Sequence, residues 1–317
     1  MRAIRPAVAA RRAVLGPRLP SWTLEYETVA EVLRKTADLS NLLPIEVQRG
    51  QIDPPRPKTG PIQETDHEPV QIGHVPAEWV SQPGQDSGRV IVYFHGGGYS
   101  TGSIHSHRDL LARLSIASGT RVLAPEYRRA PEDPYPAQLE DALVVYDWLI
   151  EQGIESSRIA FAGESAGAGI ALSTMLKLRE QERAMPSAAA LLSGWFDLDP
   201  RGGSMLRNRK YDFITRFSVR TMAKRVAPSG DHANPLLSQV HAELHELPPL
   251  LIQAGEAEAL LDGSLRIAEG AQKRGVKVDL EVWPDMIHAW HTLAPLVTEG
   301  RAAIRRTGEF LKQKLTE

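Results

Sequence analysis

From Arg89 onward the chain alternates short, apolar, β-branched runs with longer amphipathic ones, and this rhythm limits its folds more than any other feature. "RVIVYFH", "TRVLAPEY", "RIAFAG", "AAALLSGW", "PPLLIQAG" and "KVDLEVW" read as strands. "DLLARLSIAS", "QLEDALVVYDWLIEQG", "AGAGIALSTMLKLREQ", "GSLRIAEGAQKRG" and "RAAIRRTGEFLKQKL" carry the helical period. Strands that alternate with helices pair in parallel, with helices covering both faces of the sheet. The expectation is an α/β fold with a mostly parallel central sheet. A chain of 317 residues can bury one such core.

The first third is less regular. Leu24, Val29, Val32, Leu33, Leu39 and Leu42 recur at threes and fours, which predicts a helix within 21–43. Residues 50–66 are rich in Pro and Gly and read as a loop. "VQIGHVPA" reads as one further strand, followed by a turn at "SQPGQDSG". The Arg- and Ala-rich start, interrupted by Pro17 and Pro20, reads as a structural or frayed arm and not as a targeting peptide. Residues 196–246 break the alternation with a polar, Arg-rich stretch lacking clear strands, as expected of a cap inserted between two core strands. The expected division is an N-terminal helical arm contributing to a cap (1–50), a first part of the core (51–195), a cap insertion (196–246) and a second part of the core (247–317).

Composition narrows the function. The formal charge is −2, so nothing predicts binding to nucleic acid or to an anionic membrane surface. No apolar run reaches the ~18 residues of a membrane span. The chain has no cysteine, which rules out disulfides, thiolate catalysis and cysteine-ligated metals, and fits a cytoplasmic location. "SIHSH" places His105 and His107 close together but supplies no third ligand, so both are expected to be solvent-exposed and no metal is expected.

The sharpest chemical signal is Gly163-Glu164-Ser165-Ala166-Gly167, a G-x-S-x-G run between an apolar strand and a helix. A strand-to-helix turn this tight pushes the serine oxygen out above the sheet, and the two glycines remove side chains that would clash. A serine needs a base, and in this topology the order is serine, acid, histidine. His288 and His291 both follow the last strand, with His288 the better placed. The acid should lie just past "PPLLIQAG", where Glu256, Glu258 and Asp262 are available. The three glycines of "YFHGGGYSTG" then acquire a reason. A tetrahedral oxyanion needs main-chain N–H donors with no side chain in the way. The amide after the nucleophile, Ala166, would be one donor and the glycine loop would supply the others. His95 reads as structural, turning that loop.

At this point the sequence resembles the bacterial hormone-sensitive-lipase-like esterases, an α/β-hydrolase family, over about residues 60–317. The resemblance rests on "YFHGGGYSTGSIHSHRDL", on "APEYRRAPEDPYPAQLEDALVVYDWL", on "GESAG" and on "LPPLLIQAGEAEALLDGSLRIAEGAQKRGVKVDLEVWPDMIHAW". The branch containing monoterpene ε-lactone hydrolases is especially similar. Glu164 stands where the family most often has Asp, which implies a modest change in local hydrogen bonding. By motif, the resemblance implies Ser165 as nucleophile, Glu258 as acid with Asp262 as runner-up, and His288 as base. It also implies oxyanion donors at Gly97, Gly98 and Ala166.

The expected activity is hydrolysis of short-chain esters or lactones, without a cofactor. An amide or N-acetyl hydrolase would use the same triad, and a non-catalytic small-ligand receptor would use the same scaffold. Tyr99, Trp195, Phe196 and Trp290 are candidate pocket residues. A homodimer would follow only by analogy with the family.

Overall fold

The computed structural model describes residues 3–53, 59–85 and 88–316. Eight strands form one sheet: β1 (Asp66–Ile72), β2 (Val75–Ser81), β3 (Val90–Phe94), β4 (Arg121–Pro125), β5 (Ile159–Glu164), β6 (Ala188–Leu192), β7 (Leu250–Gly255) and β8 (Val278–Trp283). Their order across the sheet is β1-β2-β4-β3-β5-β6-β7-β8. β2 runs antiparallel to both of its neighbours, and the strands from β4 to β8 are all parallel. Every residue of β3, β5, β6 and β7 is buried, which is why these strands read as unbroken apolar runs. β8 lies at an edge, and none of its residues is fully buried.

Period-two alternation sends the strand side chains into two cores. Val90, Val92, Phe94, Phe161 and Leu191 face one side, while Ile91, Tyr93, Ala160, Ala162 and Leu192 face the other. The first side is covered by α5 (Ala137–Glu151), α6 (Ala166–Glu180) and α9 (Leu261–Lys273). The second is covered by α4 (Ile104–Ser118) and α10 (Thr298–Lys314). α4 begins in a capping box in which Ser103 and Ser106 satisfy each other's backbone N–H groups.

The remaining helices sit at the C-terminal ends of the strands. They are α1 (Arg5–Leu15), α2 (Leu24–Ser40), α3 (Ile45–Ile52), α7 (Gly203–Arg207) and α8 (Arg216–Val226). The Arg-rich start is helical. Arg11 and Arg12 donate to the fully buried Glu27 of α2 at 2.6 and 3.0 Å. Trp22 anchors this arm by donating its indole N–H to the Asp285 carbonyl at 2.7 Å. α7 and α8 lie in the stretch between β6 and β7.

Two local expectations are corrected. "VQIGHVPA" is two strands: a hairpin turns at Gly73-His74, with Ile72 opposite Val75 and Gly73 at φ +56. The apolar residues on either side hid a two-residue turn. The expected loop at 50–66 begins inside α3 and ends in a short 3-10 turn at Gly60–Gln63, while residues 54–58 of that stretch lie outside the described residues. Among the described residues, no helix is long and apolar enough to cross a membrane.

Candidate active site

Ser165 sits at the junction of β5 and α6 with φ +53 and ψ −120, a conformation that costs a non-glycine residue roughly 1–3 kcal/mol. The flanking glycines are required by contact. A Cβ on Gly163 would lie 2.5 Å from the Gly167 carbonyl, and one on Gly167 would lie 2.0 Å from the Phe94 carbonyl oxygen. The turn is held where Ser165 N–H donates to the Leu192 carbonyl at 2.9 Å.

His288 reaches this serine from 123 residues away, its Nε2 lying 2.9 Å from Ser165 Oγ. It stands in the loop after β8, which three other elements pin in place. Ile287 N–H donates to the Tyr26 hydroxyl at 3.1 Å, His288 N–H to Asp212 Oδ1 at 3.2 Å and Ala289 N–H to Ser193 Oγ at 3.1 Å. The other ring nitrogen, Nδ1, lies 3.8 Å from Glu258 Oε2. That is a charge contact and longer than a hydrogen bond; such pairs commonly tighten when substrate binds. Ser193 Oγ donates to the same Glu258 oxygen at 2.6 Å.

Of the three carboxylates open in the sequence, only Glu258 approaches His288. Asp262 accepts from Ser204 N–H at 2.9 Å and pairs with Arg207 at 3.2 Å. Glu256 faces Asp285 N–H. His291 is directed away from the serine: its Nε2 lies 3.0 Å from Gln253 Oε1, and burial, with the neighbouring His288 charge, pushes its pKa down to about 3.

The glycine loop follows β3. Gly97 and Gly98 have φ +116 and +61, which favour glycine. A Cβ on Gly97 would lie 2.1 Å from the Thr101 carbonyl oxygen, and one on Gly98 would lie 2.0 Å from Met222 Sδ on α8. Among the described residues, no backbone carbonyl accepts from either N–H. Ala166 opens α6, where the first N–H groups have no partner within the helix. His95 is structural, as expected: it stacks on Tyr127 at 4.2 Å and its Nδ1 meets the Gly96 carbonyl at 2.8 Å.

Electrostatics follow from burial and pairing. Burial opposes charging of His288, but Glu258, then Asp212 and Glu164, outweigh it and lift the imidazole above its ordinary value. Asp212 is fully buried, and that burial raises its carboxyl to about 6. Asp212 also accepts N–H donors from Ala259 at 2.6 Å and Phe213 at 2.8 Å. It therefore ties the loop carrying Glu258 to the loop carrying His288. Sequence reasoning missed Asp212 and Ser193. Ser193 had a usable signal, its position just past the C-terminal end of a core strand. Asp212 had little, being one of six acids in a strandless stretch.

A cavity of about 490 Å³ opens above Ser165, bounded by the glycine loop and by α2, α3 and α8. Leu33, Ile52, Phe213, Ile214, Met222 and Leu293 supply apolar wall. The four aromatic residues expected to line it do not. Tyr99 and Trp195 pack together beneath α6, where the Tyr99 hydroxyl would lie 2.5 Å from a Cβ on Gly169. Trp290 is fully buried and packs against His291 with ring centroids 3.9 Å apart. Trp195 and Phe196 border a different cavity, beside Asp197 and Arg266. Large aromatics near a site in sequence were needed to fill the core beneath it.

His107 also departs from expectation. It is buried, and its Nε2 lies 2.9 Å from Glu164 Oε1, while His105 is half-buried. Glu164, beside Ser165 in sequence, thus gains a histidine partner from α4. Among the described residues, no three His, Asp or Glu side chains are grouped so as to hold a metal ion.

Residues 91–292 match a family described as having the alpha/beta hydrolase fold. An acetyl-hydrolase of Streptomyces hygroscopicus is 43% identical over 244 residues, 77% of this chain and 81% of its own. An ethyl acetate hydrolase of Pseudomonas putida is 29% identical over 260 residues, 77% of this chain and 80% of its own. A solved esterase of the bacterial hormone-sensitive lipase family superposes with a TM-score of 0.85 at 34% identity, covering 93% of this chain and 100% of that one. With these likenesses and this fold, the chain belongs to the bacterial hormone-sensitive-lipase-like α/β hydrolases and is a carboxylic ester hydrolase.

Proposed function

We propose that the chain hydrolyses short-chain carboxylic esters through a Ser165-His288-Glu258 triad. The observation carrying this reading is the 2.9 Å contact between His288 Nε2 and the oxygen of a serine held on a strained strand-to-helix turn. His288 takes the Ser165 proton as the oxygen attacks the ester carbonyl, then gives it to the departing alcohol. Water enters by the same route and releases the acid. Glu258 keeps the ring in the tautomer that leaves Nε2 free to accept, and stabilises the imidazolium. The N–H groups of Gly97, Gly98 and Ala166 receive the oxyanion, each worth roughly 3–4 kcal/mol in the transition state.

The modest cavity and its roof of α2, α3 and α8 suit small substrates better than long acyl chains. The N-terminal arm and the stretch between β6 and β7 together act as the cap. The ethyl acetate hydrolase among the relatives supports a small acyl group.

A fluorophosphonate probe tests the reading. Modification should map to Ser165 and disappear in Ser165→Ala, together with turnover of p-nitrophenyl acetate and butyrate. Labelling at another residue, or turnover that persists in the variant, overturns it.

A further inference from the structure

The wall of the cavity contains a cation that no carboxylate among the described residues answers. Arg225 lies near the end of α8, and its Nη1 donates to Gln48 Oε1 at 3.1 Å. No ion pair to it is formed by any described residue, and the charged group acting on it is another cation, Arg49. Arg49 is itself engaged by Glu132 at 2.7 Å and by two backbone carbonyls. A guanidinium carries five N–H donors and stays charged at any working pH. Its orientation here is built in. Gln48 is only 4% exposed, and its amide nitrogen is committed to the Leu43 carbonyl at 2.7 Å, which leaves the oxygen for Arg225.

The position suits a substrate. Ser218, Met222 and Arg225 share one face of α8 and all border the cavity. Met222 lies directly against Gly98 of the glycine loop. Arg225 is one helical turn farther on. A molecule whose carbonyl lies at the Gly98 amide and which extends along α8 meets the guanidinium next. Among the described residues, the only carboxylate bordering the cavity is Glu164, which His107 already engages.

We propose that Arg225 is the recognition site for a carboxylate on the substrate, so that the preferred esters carry an acidic group a few atoms from the scissile carbonyl. This rests on the ester-hydrolase reading of Ser165. A planar carboxylate fits the guanidinium fork with two parallel hydrogen bonds.

The test compares matched esters. Mono-p-nitrophenyl glutarate is set against p-nitrophenyl pentanoate for a carboxylate on the acyl side. 4-Acetoxybutyrate is set against butyl acetate for one on the alcohol side. In at least one pair, the ratio of kcat/KM for the anionic over the neutral ester should fall about tenfold or more in Arg225→Gln, mainly through KM. It should fall further in Arg225→Glu and be partly retained in Arg225→Lys. Ratios unchanged by Arg225→Gln in both pairs overturn the proposal. Calorimetric titration of monomethyl glutarate into Ser165→Ala separates the two readings. Binding that weakens with Arg225→Gln supports the recognition site even if no ester is turned over. Binding indifferent to Arg225 sinks the site and leaves the triad standing.

Discussion

Ser165 is flanked by two buried glutamate–histidine pairs that use the same side chains in opposite ways. In the pair Glu258–His288, Nδ1 faces the carboxylate at 3.8 Å and Nε2 meets the serine oxygen at 2.9 Å. In the pair Glu164–His107, Nε2 is committed to the carboxylate at 2.9 Å, and Nδ1 lies 3.0 Å from the Ser103 carbonyl. The first ring keeps a nitrogen for the Ser165 oxygen. The second has none, so it cannot serve as a base. Its place is mechanical. A Cβ on Gly96 would lie 2.0 Å from Glu164 Oε1, so the carboxylate braces the start of the glycine loop from below. Residue type and burial are alike in the two pairs, and role is decided by what the second ring nitrogen faces.

The largest expected effect separates them directly. His288→Ala should lower kcat/KM on a short ester by about 10⁴–10⁶-fold, as removal of a triad base does elsewhere. His107→Ala should cost about 10–100-fold through a displaced glycine loop, with a lowered melting temperature as the brace is lost. Comparable losses in the two variants would erase the distinction.

Next comes the acid. Glu258→Ala should cost about 10²–10⁴-fold in kcat, because the imidazolium loses its partner. Asp262→Asn should stay within about threefold, since that side chain caps the start of α7. A reversed order of these two variants would move the acid to Asp262.

The smallest effect sharpens the role of Asp212. His288 must be neutral to act as a base, so kcat/KM falls as pH drops through its pKa. That value is raised in the folded enzyme, placing the acid limb above pH ~6.5. Asp212 contributes to the rise. Asp212→Asn should therefore move the limb to lower pH and cost about 1–3 kcal/mol of stability, as an amide group replaces an oxygen facing N–H donors. A limb that stays in place while stability falls would reduce Asp212 to a purely structural tie.

Much of the frame was legible because its causes are local. Buried parallel strands must be continuously apolar, and β3, β5, β6 and β7 read so. The hairpin at Gly73 was harder, since side chains on either side of a two-residue turn have the same character. At the site, the glycines about Ser165 announce themselves through a turn only glycine permits. His107 did not, because its partner is 57 residues away and nothing in "SIHSH" marks burial.

By itself, then, the sequence determined the alternation of strands and helices, the elbow at Ser165 and the glycine loop, all set by backbone sterics and short-range periodicity. Tertiary structure brought Glu258, the acid the resemblance implied, to His288, and it alone decided that Asp262 caps a helix, that His107 is buried and that Asp212 joins the two loops. It also left Arg225 without a counter-charge among the described residues. These are pairings between distant segments, and a carboxylate or an imidazole takes its role from the neighbour that packing brings within about 3–4 Å.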